Sequence, residues 1–154
     1  MRKTVEFHFK SPEDSSGYLL GQLTMLWQRK QKQVLDPLDL TSTQFVLLCA
    51  LAWCSRDSNR VTQIDIANQG NADKMMVSKV LRTLEEKKLI SRQEHPQDTR
   101  AKIIKLTTKG AEVLQIAIVA VEEADIDFFS TLDNDLPSFN SNMLTLLSKT
   151  KSKD

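Results

Sequence analysis

Four glycines and four prolines are spread through 154 residues, with only two histidines and two cysteines. No Gly-rich loop of the kind that cradles phosphate occurs among the glycines, which removes the nucleotide-binding motifs. His8 and His95 have neither a cysteine nor a second histidine at ligand spacing, so no zinc site or nucleophile–base pair can be assembled. The sequence therefore predicts no enzyme, no metal and no cofactor. Cys49 and Cys54 are five positions apart, which on a helix directs them about 140° from each other. That is too far for an unstrained disulfide, and both are expected to be inert core residues without a redox role. The longest apolar run, Phe45 to Cys54, has ten residues where a bilayer span needs about 20, so it reads as a fully buried core helix. Met1 to Lys10 alternates charged and apolar residues and lacks the apolar core of a signal peptide. The expectation is a soluble, cytoplasmic protein with no membrane partner.

Lysine and arginine are also missing from one long stretch. Between Gly110 and Leu136 there are seven acids and no basic residue, a local charge of −7. Between Lys74 and Lys109 ten Lys or Arg oppose four acids, a local charge of +6. The net charge of +1 thus joins a basic module to an acidic one. Clustered positive charge is the electrostatic footprint of nucleic-acid binding.

Local signals order the elements. Ser11-Pro12-Glu13-Asp14 predicts the start of a first helix running to about Val34, with Leu19, Leu23, Leu26 and Trp27 on its apolar side and Asp36-Pro37 ending it. Thr41-x-x-Gln44 is a capping box for the apolar second helix, and Thr62-x-x-Asp65 opens a short third one through Asn68. "QGNAD" makes a turn, and Asp73 caps a helix that stops near Lys88. "LISRQEH" and "AKIIKLT" read as two strands joined by a five-residue polar tip, "PQDTR". Thr107 caps a long helix, about Lys109 to Thr131, with Val113, Ile116, Ala117, Ala120, Ala124 and Phe128 as inward candidates. Asn134-Asp135-Leu136-Pro137 introduces a last helix with Phe139, Met143, Leu146 and Leu147 in register, and the terminal "SKTKSKD" reads as disordered.

The helix in "NADKMMVSKVLRTLEEKKL" has two stripes. Val77, Leu81 and Leu84 recur at helical spacing and need a core beneath them. Met75, Ser78, Lys79 and Arg82 recur at the same spacing and are cationic or hydroxylic, a face suited to an anionic partner. Helix, tight turn, helix and hairpin is the order of a winged helix-turn-helix, whose second helix enters the DNA major groove. In that frame Lys79 and Arg82 neutralise phosphate or bond guanine edges, Ser78 bonds either, and Met75 touches a thymine methyl. Arg100 at the hairpin tip lies at the height of the minor groove, with Asp98 positioned to hold its guanidinium.

These segments resemble the MarR-type bacterial transcription regulators. The resemblance is carried by "LTSTQFVLLCAL", by Asp73-Lys74 before "VSKVLRTLEEK", by Asp98-x-Arg100 in the wing, and by "LTTKG" opening the long helix. It is close over residues 40 to 112, and the flanking helices match by position. It implies a mainly α fold with a small β-hairpin, a winged helix-turn-helix at 41–109, and dimerisation helices at 11–36 and 110–149 that form one structural unit. It also implies a recognition helix covering Lys74 to Arg82, which adds Lys74 and Met76 to the contacts, and a wing contact at Arg100. The function implied is that of a homodimeric repressor on a palindromic operator in double-stranded DNA. Release by a small-molecule effector, unidentified but in the family often aromatic or anionic, is part of the same implication. Two positions depart from the family pattern: Gly70-Asn71 replaces Leu-Gly before the recognition helix, and Lys88 stands where glycine commonly ends it. Lysine in left-handed backbone costs about 1 kcal/mol, so the expectation is an exit of different shape. The alternative reading is a winged-helix protein-interaction module without sequence-specific DNA binding, since this fold does not by itself settle function.

Overall fold

Short polar side chains begin most helices of this chain, and the computed structural model, which describes residues 4–151, shows them bonded as their spacing requires. Helix α1 spans Ser16–Leu35, α2 Ser42–Cys54, α3 Gln63–Gln69 and α4 Lys74–Glu86. Strands β1 (Ile90–Glu94) and β2 (Lys102–Leu106) pair antiparallel, and α5 (Thr108–Phe129) and α6 (Leu136–Lys151) complete the chain. Thr41 Oγ1 accepts from the Gln44 amide at 3.1 Å, while the Gln44 side chain accepts from the Thr41 amide. Thr62 and Asp65 make the same reciprocal box, Asp73 accepts from the Met76 amide at 3.0 Å, and Thr107 accepts from the Gly110 amide. The first helix starts later than its sequence signal. Pro12–Asp14 forms a separate 3₁₀ turn, and the extended backbone of Ser15 breaks it before Ser15 caps α1 through the Tyr18 amide.

One core joins the end of α1 to α2, α3, α4, both strands and α5, with Leu35, Leu48, Leu51, Ile66, Val77, Leu81 and Leu84 wholly removed from solvent. The apolar run of α2 is less buried than its composition suggests. Phe45, Leu47, Leu48, Ala50 and Leu51 face the core, but Val46 and Trp53 are exposed and Cys49 and Cys54 are only half-buried. The neighbours of α2 cover one side of a helix that is apolar nearly all round. On α5 the inward stripe is Gly110, Leu114, Ala117, Val121 and Ala124, while Ile116 points outward at 57% exposure. Val113, Ala120 and Phe128 lie at its margin, half-buried. Trp27, Phe128, Phe129 and Phe139 form an aromatic cluster with successive centroids 4.9–5.9 Å apart, tying α1 to the α5–α6 junction. The Lys30 ammonium, 2.8 Å from Asp127, ties the same two helices and holds the Asp127 carboxyl below its ordinary range. Leu19 and Leu26 of α1, Ile126 of α5, and Leu144, Leu146 and Leu147 of α6 remain exposed in the single chain. The C-terminal segment is more ordered than its composition predicts. Helix α6 continues through Lys151, and the last three residues of "SKTKSKD" lie outside the described residues.

Among the described residues four non-glycine positions have positive φ, Asp133 between α5 and α6 and three that follow helices. At the end of α4, Lys88 has φ 61°, its amide bonds Glu85 O, and the Leu89 amide reaches back to Leu84 O. This is a Schellman motif, and Leu84 and Leu89 are both buried in the one core. The exit therefore keeps the shape that glycine would favour, against the expectation of a different one. Asn71 (φ 47°) closes α3 identically, with Ala72 N–H donating to Ala67 O, and Asp39 (φ 53°) follows α1. Asparagine tolerates this region, which is why Gly70 itself stays right-handed.

Gly110 is required for contact rather than conformation. A Cβ built there would lie 1.8 Å from the carbonyl oxygen of Leu89. Gly110→Ala should force α5 away from the α4–β1 connection and lower stability by about 1–3 kcal/mol. Urea unfolding at matched protein concentration checks this, and an unchanged midpoint would contradict it.

Candidate nucleic-acid interface

Helix α4 is held by one face and open on the other. Val77, Leu81 and Leu84 have no exposed surface, so the rotation of the helix about its axis is set by the core. The opposite side then presents Lys74, Met75, Met76, Lys79 and Arg82 to solvent, with Ser78 half-buried at its edge. Met75 is 83% exposed, an unusual place for a thioether that commonly fills core gaps.

Ion pairing separates two sets of basic residues. Lys87 pairs with Asp39, its ammonium also bonding Asp39 O and Gln44 Oε1, and Arg92 pairs with Glu85. Lys30, Lys32 and Lys102 have carboxylate partners as well. Among the described residues, no ion pair or hydrogen bond engages the side chains of Lys74, Lys79, Arg82 or Arg100. Lys74, Lys79 and Arg82 lie along α4 and Arg100 at the wing tip, and among the described residues Arg29, Arg60, Lys88 and Lys105 also have no ion pair.

The wing differs in detail from its sequence reading. The connection between the strands is seven residues long, since Glu94 pairs with Lys102 in the final register. Asp98 does not hold the Arg100 guanidinium. Its Oδ1 accepts from the backbone amide of Arg100 at 2.9 Å, and its carbonyl accepts from Ala101 N–H. A short aspartate side chain satisfies an amide two residues on more readily than it follows a long, solvated arginine. Asp98 thus shapes the tip, and Arg100 projects from it exposed. His95 closes the turn's other side, its Nδ1 accepting from the Gln97 amide at 3.2 Å.

A cleft of about 490 Å³ lies between the wing and the start of α3, lined by Thr62, Gln63, Lys74, His95, Arg100 and Lys102 among others. Sequence reading missed Thr62, Gln63 and Lys102 as part of this surface. Their meeting depends on a single bridge, Thr62 to Ile103, and on Ile104 N–H donating to Val61 O at 2.8 Å. No local pattern announces a pairing across forty residues. The thiols of α2 lie elsewhere. Burial, with the nearby Glu122 carboxylate, pushes Cys49 up to about 11, and burial with Asp65 and Asp57 raises Cys54. Among the described residues no cluster of His, Cys, Asp and Glu suited to a metal ion occurs, and no single helix is long and apolar enough to cross a membrane.

The MarR family model matches residues 40–102. The chain is 41% identical over 128 residues to the HTH-type transcriptional regulator YdcH of Bacillus subtilis, covering 82% of this chain and 87% of that one. Among solved structures it is similar to the MepR–DNA complex of S. aureus, with 31% identity, a TM-score of 0.79, and coverage of 88% and 98% of the two chains. It is also similar to BpsR of Bordetella bronchiseptica, whose DNA binding is regulated by 6-hydroxynicotinic acid, with 25% identity, a TM-score of 0.77, and coverage of 97% and 100%.

Proposed function

This chain belongs to the MarR family of transcription regulators, not enzymes, and from that premise we propose that it is a cytoplasmic, homodimeric repressor binding a palindromic operator. The observation that carries the reading is the unpaired cationic stripe of α4 lying opposite a stripe with no solvent exposure. In this account Lys74, Lys79 and Arg82 meet phosphates or guanine edges, Ser78 bonds either, and Met75 and Met76 supply apolar contact to thymine methyls. Arg100 enters the adjacent minor groove, and Asp98 acts by fixing the backbone that carries it. The cleft between the wing and α3 gives the intervening phosphates a seat beside Thr62, Lys74 and Lys102.

The working division places the winged helix-turn-helix at 41–109 and one dimerisation unit at 11–36 and 110–149. Exposed apolar side chains on α1, α5 and α6 support a second copy as their cover. Two recognition helices related by a two-fold axis call for an inverted repeat with half-sites about one helical turn apart. A dimer seated there would exclude polymerase, hence repression. Release by a small molecule is supported by the relative regulated by 6-hydroxynicotinic acid. In this chain a cleft of about 340 Å³ between α2 and α5 offers such a ligand Trp53, Arg56 and Glu122, the Arg56 guanidinium lying 4.8 Å from the centre of the Trp53 ring.

Selection of bound duplexes from a random pool identifies the operator and permits a contrast of the two DNA-facing elements. Arg100→Ala should weaken operator binding by about 1–3 kcal/mol and relax preference only in the A·T-rich flanks, leaving the major-groove bases unchanged. Unaltered affinity at the same salt, in a folded variant, would remove the wing from the interface. Sedimentation at micromolar concentration should show one species near twice 17.5 kDa, and a clean monomer would contradict the dimer.

A further inference from the structure

We propose that Met75 is an oxidation-sensitive position on the DNA-facing surface, where conversion of its thioether to the sulfoxide by a hypohalous acid or peroxide weakens DNA binding. The inference rests on the reading of α4 as the DNA-facing helix. Three observations support it. Met75 is 83% exposed in the first turn of α4, between Lys74 and the likewise exposed Met76, so oxidant reaches its sulfur without any opening of the fold. The two thiols are poor competitors. Cys49 and Cys54 are half-buried, and burial beside carboxylates keeps both protonated at neutral pH, whereas the thiolate is the form that reacts. A thioether needs no deprotonation. The other described methionines, Met25 and Met143, belong to α1 and α6 and not to α4 or the wing.

The step balances with an oxygen donor of the stated class. A lone pair on sulfur attacks the electrophilic oxygen, the S–O bond forms, and the O–Cl or O–O bond breaks. Chloride and a proton leave from hypochlorous acid, or water from hydrogen peroxide, so sulfur loses two electrons and the oxidant gains them. The product replaces an apolar side-chain end with an S=O dipole whose negative end faces outward. Phosphates and base-edge acceptors repel that dipole, and a thymine methyl no longer meets an apolar surface. Sulfoxide reductases reverse the change, so the position can report oxidant without permanent damage.

The test treats the intact protein with low-stoichiometry hypochlorous acid, follows oxygen addition by peptide mass, and measures operator binding before and after. Untreated protein must bind duplex first, and failure there would overturn the DNA-binding reading and this inference with it. Oxidised wild type should lose about tenfold in affinity, in step with sulfoxide at Met75. A Cys49→Ala/Cys54→Ala protein should lose as much. Met75→Leu, compared with its own untreated form, should change by less than about twofold. Bound operator should slow oxygen addition at Met75. Complete sulfoxide at Met75 with unchanged affinity would overturn the proposal, as would equal loss in Met75→Leu. Should Met75→Leu bind too weakly to compare, reductase treatment of oxidised wild type decides. Affinity that returns with the Met75 thioether supports the proposal, and affinity that stays low overturns it.

Discussion

The packing of Val77, Leu81 and Leu84 against α2 and α3 sets the orientation on which the rest of this surface depends. Truncating one such leucine would cost about 2–5 kcal/mol, enough for each to fix the helix against rotation. With those three side chains inward, the positions between them have no choice of direction. Lys74, Met75, Lys79 and Arg82 face solvent because the core has already taken the other side. Cationic side chains crowded on one face repel one another, and burial of the apolar stripe offsets that repulsion in the free protein.

The ends of α4 matter as much as its faces. Asp73 satisfies the first-turn amide of Met76, and Asn71 turns the chain sharply from α3 into that cap. At the far end Lys88 accepts the strain of left-handed backbone because the Schellman closure brings Leu89 onto Leu84 and starts β1 in the right place. From there the hairpin is anchored twice. Arg92 reaches back to Glu85 on α4, and Ile104 bonds Val61 just before α3. These contacts join α4, the wing and the start of α3, and the cleft lies between them.

Much of this was legible in the sequence because much of it is local. Thr41 and Thr62 were identifiable as caps from Gln44 and Asp65 three positions on, Asp73 and Thr107 as short polar residues ahead of a helix, and the two faces of α4 from its own periodicity. Helix α5 was harder. Being apolar on most of its circumference, it gave no reason to prefer Leu114 and Val121 over Ile116 until its neighbours were in place. The same ambiguity made α2 look wholly buried when Trp53 and Val46 are not. In the wing, spacing alone suggested that Asp98 would hold the guanidinium of Arg100, whereas the nearer backbone amide takes it. The joining of Thr62 to Ile103 lay beyond any local signal, and with it the cleft that brings Gln63 and Lys102 beside Lys74.

The measurement that bears most directly on the central claim is the salt dependence of duplex binding. Cations left unpaired by the fold should take phosphates as partners and release condensed counterions. Affinity for operator DNA should then fall by roughly a thousandfold or more between about 50 and 200 mM salt. Replacing Lys74, Lys79 and Arg82 together by Ala should flatten that slope by about one for each phosphate no longer neutralised. An affinity that stays constant across this range would contradict the assignment of the α4 face to DNA.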